Sequence, residues 1–140
     1  MDFAELEANL LLFTDWADRY QYIIGLGAKL PALDEKYRTD TYKVEGCMSQ
    51  VWLQSEIVET DGGKRLRFNA DSDSTIVKGL FAILRILFSD RSADEILAVD
   101  LDAAFAQIGL EQHLSPNRRN GFFAMIEEMR RAAVVVKATS

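Results

Sequence analysis

The sequence predicts an α+β fold, with helices packed against one small antiparallel sheet of about three strands. Three observations predict it. Apolar residues recur at helical spacing before residue 30 and again after residue 74, and they alternate strictly around a strong turn in between. The resulting order is helix, sheet, helix, which segregates the elements instead of alternating them as βα units. Leu6, Leu10 and Phe13 recur at i, i+4 and i+7; after Thr14, read as an N-cap, Trp16, Tyr20, Ile23 and Ile24 trace a second stripe. Gly25 and Gly27 read as helix stops, and Pro31 restricts the backbone beyond them. Past Arg38, Val51, Leu53, Ser55 and Ile57 alternate with Trp52, Gln54, Glu56 and Val58. After the Asp61-Gly62-Gly63 turn signal, Leu66, Phe68 and Ala70 alternate with Arg65, Arg67 and Asn69, so the segment reads as a hairpin. A short preceding strand is expected around residues 42–45.

Asp71, Asp73 and Ser74 are N-cap candidates for a helix whose broad apolar face includes Ile76, Leu80, Ile83 and Leu87. Ser92-Ala-Asp-Glu95 has the spacing of a capping box. A short helix is expected to carry Leu101, Phe105 and Ile108 and to stop at Gly109. Ser115-Pro116 reads as N-cap and first helical residue of a last helix, with Phe122, Met125, Ile126 and Met129 inward.

The chain has 140 residues, 49% of them hydrophobic and 27% charged, with two prolines and no Ser/Gly tract. These values predict one domain over residues 1–140, large enough to bury roughly 70% of its unfolded surface without a metal or disulfide. Sixteen Lys plus Arg against 22 Asp plus Glu give a formal charge of −6. That balance argues against a nucleic-acid or anionic-membrane binder, since both need a basic footprint. Lys78 and Arg85 interrupt the longest apolar stretch, and the first residues have no positive region of a signal peptide, so a cytoplasmic location is expected. With one cysteine and one histidine, an internal disulfide and a four-ligand Cys/His zinc site are excluded by count.

Gly25-Leu-Gly27-Ala-Lys29 lacks the spacing of a phosphate loop and follows a helical pattern, so it reads as a helix C-terminus. Asp71-Ser-Asp73-Ser-Thr75 lacks the glycine and glutamate of a calcium loop and reads as capping. His113 has no partner at ligand spacing and reads as a hydrogen-bonded or exposed structural residue. Cys47 lies in Val44-Glu-Gly-Cys-Met-Ser-Gln-Val51, where Gly46 permits a tight or positive-φ turn. A thiolate there can hold a sulfane sulfur as a persulfide without metal or cofactor, and no second cysteine is present to discharge it as a disulfide. By spacing alone, a lone cysteine is more often a small buried hydrophobe than a carrier.

Four separated motifs carry a family resemblance. Phe13-Thr-Asp-Trp16 with Arg19-Tyr20-Gln-Tyr22-Ile23-Ile24-Gly-Leu-Gly27 and Leu30-Pro31 resembles the opening of the SufE family of sulfur acceptors. Val44 to Leu53 resembles its V-x-G-C-x-S-x-V-W persulfide loop. Ala70-Asp-Ser-Asp73 with Ile76-Val-Lys-Gly-Leu80, and Gly109-Leu with His113-Leu-Ser-Pro116 and Arg118-x-Asn-Gly121, are similar to its sheet-to-helix junction and late segment. The resemblance runs from about residue 13 to 133. It implies a fold like that of the IscU and NifU-type scaffolds, although a chain with one cysteine lacks the ligands for their cluster-building role. It also implies an accessory protein without independent turnover, holding no cofactor and no metal. Such a protein takes sulfur from a pyridoxal-phosphate cysteine desulfurase (SufS-like or CsdA-like) onto Cys47 and passes it to an iron–sulfur scaffold containing SufB.

The resemblance further implies that Gly46 and Ser49 shape the loop. Arg118 would serve partner docking or thiolate stabilisation, or be a solvated or carboxylate-paired first-turn arginine. Trp52 is expected in the core. Asp71 and Asp73 are expected as caps, either of which could face the desulfurase. Two alternatives stay open: a CsdE-type acceptor for a different desulfurase, and an interaction module that activates a desulfurase with Cys47 merely structural.

Overall fold

Two ten-residue strands, β1 (Val51–Thr60) and β2 (Gly63–Ser72), pair antiparallel from Thr60 opposite Gly63 to Val51 opposite Ser72. The Asp61-Gly62 turn joins them, and Gly63 takes the positive φ (108°) that the sequence Asp-Gly-Gly anticipates. This computed structural model describes residues 1–46 and 49–139 of the chain. Around the hairpin lie α1 (Phe3–Leu11), α2 (Trp16–Ala28), α3 (Thr75–Phe88), α4 (Ala93–Ala98), α5 (Leu101–Ile108) and α6 (Pro116–Thr139). Single 3-10 turns occupy Glu35–Tyr37, Asp40–Tyr42 and Glu111–His113. The fold is α+β, as expected.

The sheet has two strands among the described residues, one fewer than expected. The strand sought at residues 42–45 is reduced to a single bridge from Lys43 to Trp52, with the Val44 N–H donating to the Val51 carbonyl at 2.8 Å. The 3-10 turn ending at Tyr42 and the left-handed Gly46 (φ 89°) leave room for no more than that. Along the hairpin, Val51, Leu53, Leu66, Phe68 and Ala70 are buried, whereas Ile57 toward the turn is 51% exposed. The hairpin's base therefore forms core and its distal half runs into solvent.

The inner face of the hairpin meets α3, the centre of the molecule, which buries ten of its fourteen residues. Helix α3 in turn packs on α2 and α6. Its crossing with α2 corrects one expectation: Gly25 and Gly27 do not stop the helix, which runs on to Ala28. Gly27 instead faces Gly79, where the two backbones meet too closely for any side chain. Caps also shift. Asp15, not Thr14, caps α2 through the Ala17 N–H at 3.0 Å, and Ser74 alone caps α3. The remaining boundaries follow the sequence: the Ser92–Glu95 capping box opens α4, Gly109 (φ 64°) ends α5, and Ser115 Oγ accepts the Arg118 N–H at the start of α6. Phe122, Met125, Ile126 and Met129 point inward. No helix of the described residues is long and apolar enough to cross a membrane.

Candidate functional site

The segment between Val44 and Val51 is anchored at both ends by bonds its neighbours dictate. Upstream, Val44 bonds to Val51. Downstream, Gln50 is held three times: its N–H donates to Asp73 Oδ1 (3.0 Å), and its carbonyl accepts from Ser72 Oγ (2.7 Å) and the Asp73 N–H (3.2 Å). Five residues, 45–49, separate these anchors. Cys47, the predicted sulfur carrier, lies outside the described residues, as does Met48. Its described neighbours have distinct positions. Gly46 adopts φ 89°, a conformation that disfavours any other residue, and a Cβ there would stand 3.7 Å from Ala124 of α6.

Ser49 lines an open cleft of about 440 Å³. The other walls are the first turn of α3, with Ser74 and Val77, and the first turns of α6, with Ser115 and Arg118. Two helix N-termini therefore border one cleft, each adding partial positive charge, and Arg118 adds a full one. The Arg118 side chain is exposed and forms no ion pair among the described residues. Such walls favour anionic groups, whether a thiolate or a partner's carboxylate. Among the described residues no three His, Asp or Glu side chains are grouped to hold a metal ion.

Ser49 and Arg118, distant in sequence, are thus brought together, and Asp73 is joined to the same segment through Gln50. Asp73 caps no helix: it is exposed and spends one carboxylate oxygen on the Gln50 amide. Asp71 is likewise not a cap. It sits within β2, buried, and pairs with both Arg38 and Lys78 Nζ, the latter at 3.5 Å. Asp71 does not line the cleft. The reason neither caps α3 is local: Ser74, adjacent to the helix, outcompetes them for the free amides. Trp52 is half-buried rather than core, with the Arg38 guanidinium 5.4 Å from its ring centroid. His113 is exposed and stacks on Trp16 at 4.0 Å. The pairing of Asp71 with Arg38 has no signal in the sequence, because no spacing rule links residues 33 positions apart.

The SufE family model, described as an Fe-S metabolism associated domain, matches residues 4–133. An uncharacterized SufE-like protein of Rhizobium etli is 42% identical over 127 residues, covering 91% of this chain and 86% of its own. Another, from Rhizobium meliloti, is 43% identical over 119 residues and covers 85% of each chain. The solution structure of a hypothetical protein from Thermus thermophilus shares the fold, with a TM-score of 0.72 at 20% identity over 99% of this chain and 96% of that one. Residues 4–133, which hold the cleft and both anchors of the Cys47 segment, make this chain a member of the SufE family.

Proposed function

We propose that the chain is a single-domain sulfur acceptor and activator for a pyridoxal-phosphate cysteine desulfurase, with Cys47 as carrier. One observation supports this most: the Gly46-Cys47-x-Ser49 motif falls in a five-residue segment anchored at both ends and opening, at Ser49, on a donor-lined cleft. In the transfer, the Cys47 thiolate attacks the outer sulfur of the desulfurase's cysteine persulfide. An S–S bond forms at Cys47 as the desulfurase S–S bond breaks, and the desulfurase cysteine leaves as a thiolate. No net oxidation occurs. The same exchange in reverse sense passes the sulfur to an iron–sulfur scaffold containing SufB. Arg118 and the helix N-termini favour the anionic sulfur or dock a desulfurase carboxylate. The absence of a second cysteine keeps the persulfide from closing to an internal disulfide. A reducing cytoplasm suits such a carrier.

Mass spectrometry after incubation with a cysteine desulfurase and free cysteine tests the reading. The chain should gain one sulfur, about 32 Da, removable by reductant. Cys47→Ser should fold, gain nothing and give no multiple-turnover stimulation of sulfide release. Undiminished stimulation by that variant would establish an interaction module instead. Which endogenous desulfurase is retained in a pull-down separates a SufS-type from a CsdE-type pathway.

A further inference from the structure

The buried carboxylate of Asp71 touches three parts of the fold at once. It belongs to β2; Arg38, from the stretch between two 3-10 turns, pairs with it; and Lys78 reaches it from α3 at 3.5 Å. Its Oδ1 also accepts the Ser72 N–H at 2.8 Å. Trp52 is the register partner of Asp71, and Lys43 bridges to Trp52 on the other side. Arg38 lies over that Trp52 ring. One row across the sheet thus carries Lys43, Trp52 and Asp71, with a guanidinium laid across it. Asp71 is 9% exposed and Arg38 38%, so the acid is sealed and the base is reachable. A carboxylate this buried requires its cations, while an arginine this exposed has no such need of its acid. The pairing therefore holds Arg38 in place, and with it the chain that runs nine residues on to Cys47.

We propose that Arg38, through Asp71 and Trp52, is a positioning residue for sulfur transfer: it fixes the leg of chain, residues 38–44, that leads into the Cys47 segment. This rests on the carrier reading above. Without the clamp, the Lys43–Trp52 bridge and the Val44–Val51 hydrogen bond are the upstream anchors left among the described residues, and the docked complex is less often arranged for transfer. The effect falls on the transfer step and spares docking, because Arg38 is not among the cleft's walls.

The test uses the full chain with Arg38→Ala and Arg38→Lys; Lys78 still pairs with the Asp71 carboxylate in both, and the hairpin exchange rates report whether the fold is kept. Hydrogen exchange should accelerate roughly tenfold over residues 38–46 in Arg38→Ala while the hairpin amides of residues 53–70 keep their rates. In titrations against a cysteine desulfurase with free cysteine, the maximal stimulated rate should fall severalfold with an unchanged half-saturation concentration. Arg38→Lys, which keeps the charge but loses the planar contact with Trp52, should lie between. Unchanged exchange over 38–46, or equal acceleration in the hairpin, would overturn the proposal, the second by showing a merely structural role. So would a rise in half-saturation alone, which would make Arg38 a docking contact. Failure of the wild-type chain to gain sulfur would instead sink the carrier reading, and the exchange result would still decide the clamp.

Discussion

At Gly79 a Cβ would stand 2.4 Å from the carbonyl oxygen of Ile23, and at Gly27 one would stand 2.6 Å from the Gly79 amide nitrogen. Backbone faces backbone there, and neither contact can yield as a side-chain tip would. Gly79→Ala should therefore lower unfolding free energy by about 1–3 kcal/mol or more, through separation of α2 from α3. Gly25, two residues from Gly27 on the same helix, meets nothing within 4 Å. Gly25→Ala should raise stability by about 0.5–1 kcal/mol, since the alanine loses less backbone entropy on folding. Urea unfolding of the two variants checks both signs, and equal effects would refute the distinction. The pair also marks a limit of sequence reading. A glycine that ends a helix and one that admits a neighbouring helix have the same local signature, and only the packing partner separates them. Cys47 differs: its motif is contiguous, so the family resemblance marks it as the carrier candidate without any packing partner, whereas Asp71 needs Arg38 and Lys78 from other elements to explain it.

Helix α4 is six residues long, too short to persist on propensity alone, so its capping box matters more than usual. Ser92 Oγ accepts the Glu95 N–H, and Glu95 Oε1 accepts the Ser92 N–H, both at 3.2 Å. That backbone bond from Ser92 is the main reason the Glu95 carboxyl titrates below its ordinary 4.5, with Arg65 and Arg91 adding smaller pulls. A depressed folded-state value means the contribution is complete above pH 4.5 and fades as pH falls through the folded value. Glu95→Gln should flatten the acid limb of the stability–pH curve below that point, read by thermal melts between neutral and acid pH. An unchanged acid limb would show that the carboxylate charge adds nothing. Ser92→Ala, by removing the cap itself, should cost about 0.5–2 kcal/mol at neutral pH. This box was legible because Ser-x-x-Glu encodes both bonds in four residues. The expected third strand was not, because a turn and a left-handed glycine, each legal in a loop, together left one bridge where a strand of several pairs was expected.

The cleft exists only at the scale of the whole molecule, where the residue preceding β1 by two, the start of α3 and the start of α6 converge. Periodicity predicts each of those elements, and the motifs mark Ser49 and Arg118 separately, but nothing in spacing says that they share a wall. The core supplies that placement: Ile76 and Val77 at one helix start and Gly121 and Phe122 at the other are buried, which fixes where both helices begin. Arg118 then stands at the rim, exposed and without an ion pair among the described residues, so little of the fold depends on it. A chain of net charge −6 that presents such a cation beside its candidate site is suited to receive a carboxylate there from a partner. Arg118→Ala should accordingly leave the thermal melt nearly unchanged and raise the half-saturation concentration for desulfurase activation. A well-aligned interfacial arginine costs about 2–5 kcal/mol when truncated, and a rim contact far less, so the size of the rise reports how deeply the cation is enclosed in the complex. Salt supplies the second readout. Added salt should weaken activation by the wild-type chain more than by Arg118→Ala, because screening acts on the pair that the variant lacks. Equal half-saturation and equal salt response in the two proteins would remove Arg118 from the docking surface.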